Sequence, residues 1–188
     1  MFENPSLVQA KELLKSGKFK EAIDIYQSLL AERSDGAAEA AYNLGIVYQV
    51  GSGVNVNIAE AEKYYRLADS LGYKMATYRI ANLLFKSGNI DEALLFYEKI
   101  AESNPSAAYW SYRILNKKNT VNDRAVFVDH YLELAANQGH VLAQRAIAMN
   151  FLKGEKGIFK IPLGVKLYIN TLVNMTRVVK RDDKLKYT

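Results

Sequence analysis

Residues 40–73 read AAYNLGIVYQVGSGVNVNIAEAEKYYRLADSLGY, and this stretch decides the fold. It contains two segments rich in Ala, Leu and Tyr, which are separated by a glycine-bearing loop at residues 51–57. In the second segment Ala61, Tyr65 and Ala68 are spaced by four and three residues, so they share one stripe of a helix. A small residue on such a stripe lets a neighbouring helix approach closely, while the aromatic ring fills the space beside it. The stretch therefore predicts two helices that pack against each other.

The same spacing recurs along the chain. Strong copies begin at Ala22 and Ala93, and weaker copies begin at Val128 and Gly164. The starting residues of the five copies lie 39, 32, 35 and 36 residues apart, which is the period of a helical repeat. We expect the tyrosines of this stripe to pack between helices. The five copies are Ala22-Tyr26-Leu29, Ala61-Tyr65-Ala68, Ala93-Tyr97-Ile100, Val128-Leu132-Ala135 and Gly164-Tyr168-Thr171.

A second pattern, with offsets of five and three residues, predicts the first helix of each pair. In repeat four its register is open, because Ala107 and Ala108 both fit the first position. Turns containing Gly17 and Gly88 separate the two helices of repeats one and three, since glycine suits a helix end. Pro105 suits a helix start, where its missing N–H has no cost. The clear copies of this pattern are Ala40-Gly45-Tyr48, Ala76-Ala81-Leu84 and Ala143-Ala148-Phe151.

Several segments resemble known helical repeats. KSGKFKEAIDIYQSLL (15–30) and KSGNIDEALLFYEKI (86–100) resemble tetratricopeptide repeats. Residues 40–73 resemble the Sel-one-like (Sel1-like) variant, whose mark is a glycine-bearing loop between the helices, and residues 135–158 resemble the junction of two such units. The resemblance implies an all-α, right-handed solenoid of about five antiparallel helix pairs. We expect a single domain over residues 1–188, with repeats at about 5–34, 37–72, 73–104, 105–139 and 140–179 and a basic tail at 180–188.

The resemblance also implies a surface for a protein partner, because the first helices of such arrays line a concave face. Aromatic and arginine side chains on that face suit an extended or helical peptide. The sequence leaves open whether Tyr42, Tyr78 and Phe85 contact a ligand or are buried by neighbouring helices. The implied function is a non-catalytic adaptor or scaffold for a protein or peptide partner. The predicted partner-binding residues are Tyr42, Ile46, Gln49, Tyr78, Asn82, Phe85, Arg145 and Met149.

The segment PLGVKLYINTLVNMTRVVK, which begins at Pro162, predicts a last helix with apolar residues on more than one face. A terminal helix of a solenoid normally has a polar outer side. Three alternatives stay open: cover within the chain, an interface with a second copy or another protein, and contact with a membrane surface. Basic residues in and after this segment suit anionic lipid: Arg177, Lys180, Arg181, Lys184 and Lys186. The alternative function is therefore a homo-oligomeric or membrane-surface-associated scaffold.

The composition argues against catalysis and bound cofactors. The 188 residues include no cysteine, which removes disulfides, thiol nucleophiles and thiolate metal sites. The two histidines, His130 and His140, have no second ligand at the spacing of a helical metal pair, and we expect His140 to cap or pack a repeat junction. The chain contains neither a G-x-x-x-x-G-K-[ST] phosphate loop nor a G-x-S-x-G elbow. We therefore expect no enzyme, no metal and no cofactor.

Charge and hydropathy limit the partners and the location. The net charge of +5 is modest and scattered, whereas a nucleic-acid-binding protein normally shows a basic stripe, so we expect no nucleic-acid partner. The chain shows no secretory signal and no apolar run of about 18 residues. Together with the absence of cysteine, this predicts a cytoplasmic protein.

Overall fold

The computed structural model describes residues 4–118, 125–153 and 163–173. Throughout these ranges the regular secondary structure is α-helical, and the all-α helical-repeat fold is confirmed. In chain order the helices form five pairs. They are α1 (Pro5–Lys15), α2 (Phe19–Ala31), α3 (Ala37–Val50), α4 (Ile58–Ser70), α5 (Lys74–Lys86), α6 (Ile90–Ile100), α7 (Pro105–Lys117), α8 (Ala125–Asn137), α9 (Val141–Leu152) and a tenth helical stretch, α10, at residues 163–173.

Some of the predicted features lie outside the described residues. These are the connection at 154–162, the continuation of the last helix beyond residue 173, and the basic tail at 180–188.

The chain divides into two compact units, the first ending at Phe96 and the second beginning at Tyr97. The core of unit 1 includes Leu7, Ala22, Tyr26, Leu29 and Leu44. Small residues dominate one cluster in the core of unit 2, which contains Ala101, Ala108, Leu132, Ala135, Ala136 and Ala143 with partly buried tyrosines around it. The single domain and its five repeat boundaries stay predictions.

Local sequence signals determine where the helices begin and end. Three asparagine side chains accept hydrogen bonds of 2.9–3.0 Å from first-turn N–H groups, which satisfies donors that have no partner within the helix. Pro105 occupies the first turn of α7, as predicted. Helices α1 and α5 end in Ser-Gly turns, where Gly17 and Gly88 adopt φ values of 77° and 88° that other residues rarely reach. The capping residues are Asn4 on α1, Asn57 on α4 and Asn104 on α7.

Gly45 determines how closely α3 and α4 approach each other. A Cβ atom at this position would lie 2.5 Å from Cε1 and 2.6 Å from Cδ1 of Tyr65, so the ring of Tyr65 occupies the space that a side chain would fill. Tyr65 is fully buried, and its hydroxyl donates a 2.7 Å hydrogen bond to Oε1 of Gln49. Burial raises the pKa of Tyr65 to about 12. The corresponding residues Tyr26 and Tyr97 are also fully buried, which confirms the packing predicted for these three tyrosines. Tyr168, the fourth tyrosine of the stripe, is half-buried.

The structure decides the register of repeat four. Helix α7 buries four residues with the spacing of the buried face of α5, and this match assigns the first position to Ala107. Tyr112 then falls where Gly45 stands in α3 and Ala81 in α5, and the facing helix has Leu132 in place of a tyrosine. In this pair the tyrosine therefore lies on the first helix and the facing helix has a leucine, which explains the weak match of repeat four to the pattern. The matching sets are Ala107, Ala108, Ser111 and Leu115 in α7 and Ala76, Thr77, Ile80 and Leu84 in α5.

In repeat five the close approach depends on a glycine of the second helix. A Cβ atom on Gly164 of α10 would lie 2.8 Å from Cβ of Phe151 and 3.0 Å from the backbone nitrogen of Leu152. Gly164 is buried, so α10 packs directly on α9 at this point. The weak fifth copy of the pattern therefore preserves the small residue at which the two helices meet.

His140 caps the beginning of α9, in agreement with the role predicted for it. Its Nδ1 atom accepts a 3.3 Å hydrogen bond from the backbone N–H of Ala143, and its ring stacks on Tyr109 with the centroids 4.4 Å apart. Only an unprotonated Nδ1 accepts such a bond. Burial lowers the pKa of His140 below the ordinary value of 6.5, because it penalises the charged form.

Replacing Gly45 by Ala tests the contact with Tyr65. We expect Gly45→Ala to lower the free energy of unfolding by about 1–2 kcal/mol, since the clash exceeds the gain in helix propensity. In a Tyr65→Leu background the clash is relieved, so the same change should become neutral or stabilising. Urea unfolding of the four proteins of this double-mutant cycle measures the difference. An equal cost in both backgrounds would contradict the assigned contact.

Acidification tests the cap on α9. Because the folded-state pKa of His140 is lowered, its contribution to stability is present above about pH 6.5, the ordinary value, and is lost as the pH falls from there through the lowered folded-state pKa. His140→Asn keeps a capping side chain that does not titrate, so the variant should lose about 1 kcal/mol less stability than the wild type on acidification. Thermal unfolding between about pH 7.5 and 5.5 gives the comparison.

His130→Asn is the matched control, because His130 is half-exposed and lies 3.7 Å from Glu102 without capping a helix. An unchanged pH dependence in His140→Asn, or the same change in both variants, would show that the cap does not titrate as described.

Candidate partner-binding surface

The first helices of unit 1 carry most of the residues predicted to bind a partner. Five of the eight, Ile46, Gln49, Tyr78, Asn82 and Phe85, are half-buried, so each has part of its side chain open to solvent. Met75 on α5 is 60% exposed. We call the set of Ile46, Met75, Tyr78, Arg79, Asn82 and Phe85 the first-helix surface of unit 1. Its role in binding a partner stays a prediction.

Tyr42, another predicted site residue, belongs to the core. It is 6% exposed, and its ring lies 4.9 Å from the ring of Tyr73 and 5.7 Å from that of Tyr65, measured between centroids. Of the two roles that the sequence left open, the structure gives Tyr42 the buried one. The physical reason is that α5 begins next to α3, which brings Tyr73 over the ring. Tyr42 therefore supports the surface from beneath.

Gln49 and Glu39 are engaged within unit 1. The Oε1 atom of Gln49 accepts the hydrogen bond from Tyr65, so this oxygen helps to position the buried Tyr65 ring. Glu39 forms a 2.5 Å ion pair with Nζ of Lys11, which links α3 to α1. Both side chains are partly buried, and the ion pair neutralises the one carboxylate of α3.

Arg79 is a prominent feature of the surface that sequence reasoning missed. Its Nε donates a 3.1 Å hydrogen bond to the hydroxyl of Tyr42, and its guanidinium carbon lies 5.8 Å from the centre of the same ring. The side chain is half-buried, and within the described part of the chain no carboxylate contacts it. The available signal was its position beside Tyr78 on a helix that contains no Asp or Glu.

Unit 2 carries the two remaining predicted residues on α9. Arg145 and Met149 are exposed, Met149 to 36%. On α7 the guanidinium carbon of Arg113 lies 4.8 Å from the ring centre of Trp110, and the Trp110 ring stacks on Tyr97. In the register established above, Arg113 corresponds to Asn82 of α5. The first helices of unit 2 therefore present arginine beside aromatic or apolar side chains.

Neither metal chemistry nor membrane insertion has a site in the residues that the structure describes. Within them, no group of three His, Cys, Asp or Glu side chains is placed to hold a metal ion. The helices found there are all too short or too polar to cross a bilayer.

Paired helices that repeat with a period of 32–39 residues, together with a partly exposed face on the first helices, define a helical-repeat protein of the solenoid class. Residues 38–73, 73–105 and 130–140 match the Sel1 repeat family. These matches support a Sel1-like helical-repeat family for this chain. Proteins of this family are typically non-catalytic and mediate interactions between proteins.

Two solved structures share the fold. A Sel1 repeat protein from Oxalobacter formigenes superimposes with a TM-score of 0.71, covering 88% of this chain and 69% of that one at 22% identity. A protective antigen of uropathogenic Escherichia coli strains, which displays an SLR fold, gives a TM-score of 0.68 over 79% of this chain and 33% of that one, also at 22% identity. At these identities the likeness concerns the fold alone.

Two relatives match part of the sequence. A sel1-like repeat-containing protein of Acanthamoeba polyphaga mimivirus is 25% identical over 113 residues, which are 60% of this chain and 21% of that protein. Chitin synthase regulatory factor 4 of Schizosaccharomyces pombe is 35% identical over 79 residues, which are 42% of this chain and 12% of that protein. The chain therefore matches less than a quarter of the length of either relative.

Proposed function

We propose that this protein is a non-catalytic adaptor or scaffold that binds a protein partner on the first-helix surface of unit 1. The observation that carries the proposal is the exposure of Met75, Tyr78 and Phe85 along α5, next to the anchored guanidinium of Arg79. Large apolar and aromatic side chains beside an arginine are typical of the residues that dominate protein interfaces.

The proposal extends to unit 2, where Arg145 and Met149 are its binding residues. A role as a regulatory subunit is compatible with the name of the Schizosaccharomyces pombe relative, a regulatory factor. We place the protein in the cytoplasm and assign it no catalytic step. The cytoplasmic location and the lack of a catalytic step are both expectations from the sequence.

Selection from a random-peptide phage library on the immobilised full chain tests the proposed surface. Peptides that bind the wild type should bind the Tyr78→Ala, Phe85→Ala double variant about tenfold less tightly or worse, because truncating two interface aromatics removes contact area that no neighbour replaces. Isothermal titration with a synthetic copy of a selected peptide gives the affinity, and circular dichroism checks that helicity is kept.

Leu95→Ala is the matched control, since Leu95 is 65% exposed on α6, a second helix of the same unit. Equal binding to the double variant, or failure of the wild type to select any peptide, would contradict the proposed function.

A second function, a homo-oligomeric or membrane-surface scaffold, is favoured by the apolar surface of α10. Leu163, Val165, Ile169 and Leu172 are 44–54% exposed. Val165, Ile169 and Leu172 are spaced by four and three residues and therefore share one stripe of the helix. An exposed apolar stripe of this kind is typical of an interface with another chain or with lipid.

Ile169→Glu tests this second function, because a carboxylate in the middle of the stripe opposes both kinds of contact. If the stripe joins two copies, light scattering coupled to size exclusion should show a dimer for the wild type and a monomer for the variant. If it contacts lipid, the variant should no longer float with anionic liposomes. Leu95→Glu, which adds the same charge on unit 1, should leave both results unchanged. A monomeric wild type that does not bind liposomes would contradict the second function.

A further inference from the structure

Charge is distributed unequally between the two helices of the pairs. The first helices, α1, α3, α5, α7 and α9, contain eight basic and two acidic residues, and three of them contain no acidic residue. The second helices α2, α4, α6 and α8 contain four basic and ten acidic residues. In α10, Lys166 is the single charged residue among 163–173. The basic residues of the first helices are Lys11, Lys15, Lys74, Arg79, Lys86, Arg113, Lys117 and Arg145, and their acidic residues are Glu12 and Glu39.

Within unit 1 both acidic residues of the first helices are already paired with lysines. Glu39 lies 2.5 Å from Nζ of Lys11, and Glu12 lies 2.6 Å from Nζ of Lys15. Neither pair involves Arg79. Its charge is therefore not offset by a carboxylate of the first helices.

Arg66 and Arg79 differ in how their positive charge is balanced. Arg66, on the second helix α4, donates hydrogen bonds of 2.8 Å to Glu62 and Glu92, so its charge is balanced twice. Arg79 has the hydroxyl of Tyr42 as its hydrogen-bond partner, and its ionisable neighbours are the tyrosines Tyr42, Tyr65 and Tyr78. A half-buried guanidinium is ordinarily matched with an anion, because partial burial makes an unbalanced charge costly.

The surroundings of Arg79 also fix its geometry. The bond from Nε to the buried Tyr42 and the position of the guanidinium near that ring restrict its rotation. The terminal Nη donors are not engaged by any side chain in the described ranges. A guanidinium held in this way loses little entropy when it binds a carboxylate through two parallel hydrogen bonds.

We infer that the first-helix surface of unit 1 binds an acidic peptide segment, with an Asp or Glu carboxylate on the Nη atoms of Arg79 and an apolar side chain of the segment on Tyr78 or Phe85. This inference rests on the proposed function and adds the chemistry of the partner. A peptide fits better than a nucleic acid, because binding to a phosphate backbone needs a row of cations, whereas this surface offers one anchored arginine among aromatic rings.

The same phage selection on the full chain tests the inference through the composition of the selected peptides. They should be enriched in Asp and Glu next to a large apolar residue, and their affinity should fall as the salt concentration rises. Arg79→Gln should weaken the binding of a selected acidic peptide about tenfold or more. Arg79→Lys should recover part of this loss, because it keeps the charge but not the two parallel hydrogen bonds.

A change in the peptide makes the test independent of any effect of Arg79 on folding. Replacing the critical Glu of the peptide by Gln should weaken binding to the wild type as much as Arg79→Gln does, and the two changes together should cost little more than either alone. Arg66→Gln is the matched control, since it removes an arginine of the same unit from a second helix and should leave binding unchanged.

The selected peptides distinguish a failure of the acidic-peptide inference from a failure of the proposed function. Peptides that bind through Tyr78 and Phe85 but are not acidic, or that bind Arg79→Gln equally well, would overturn the inference and leave the proposed function standing. Failure to select any peptide would overturn both. A single-stranded RNA homopolymer that binds through Arg79 in preference to acidic peptides would overturn the inference in favour of a nucleic-acid partner.

Discussion

The contact between Gly45 and the ring of Tyr65 is the constraint on which the rest of unit 1 depends. Since the ring occupies the space that a side chain at position 45 would fill, any larger residue there would push α3 and α4 apart. The Tyr65 ring packs against Tyr42, and its hydroxyl donates a hydrogen bond to Gln49. Tyr42 in turn accepts the hydrogen bond from Arg79. A packing feature of one helix pair thus determines the position of the guanidinium on the neighbouring pair.

Other repeats meet the same constraint with different residues. In repeat four the large residue is Tyr112 on the first helix, and the facing helix supplies the shorter Leu132. In repeat five the glycine is on the second helix, where Gly164 meets Phe151. What these pairs share is a larger residue opposite a smaller one, and either helix can supply the larger residue. A sequence pattern that requires a given residue type on a given helix therefore becomes weaker along the chain. The pairing of a larger with a smaller residue is kept.

The first and second helices of the pairs also differ in the side chains that they carry. Second helices carry the fully buried Tyr26, Tyr65 and Tyr97 and a surplus of acidic residues, of which Glu60, Glu62 and Glu92 pair with basic side chains. First helices carry the partly exposed Tyr78 and Phe85 and a surplus of basic residues, among them Arg79, which no carboxylate of the described residues contacts. The two sets of helices are therefore distinguished by the sign of their charge. A family match alone does not make that distinction.

Much of the architecture was determined by the sequence alone. The spacing of Ala61, Tyr65 and Ala68 predicts a helix stripe, and its recurrence predicts paired helices, because a period of three to four residues is a local property of the chain. Capping by His140 and the start at Pro105 were predictable for the same reason. These features depend on residues within a few positions of each other.

Tertiary structure decided which of the predicted site residues stay open to solvent. Tyr42 and Tyr78 occupy equivalent positions in their helices, yet Tyr42 is buried by Tyr65 and Tyr73 while Tyr78 stays partly open. The register of repeat four and the isolation of Arg79 from carboxylates likewise depend on neighbours distant in sequence. A helical stripe predicts that a residue faces outward from its own helix, but burial and charge balance depend on what the next helix places against it.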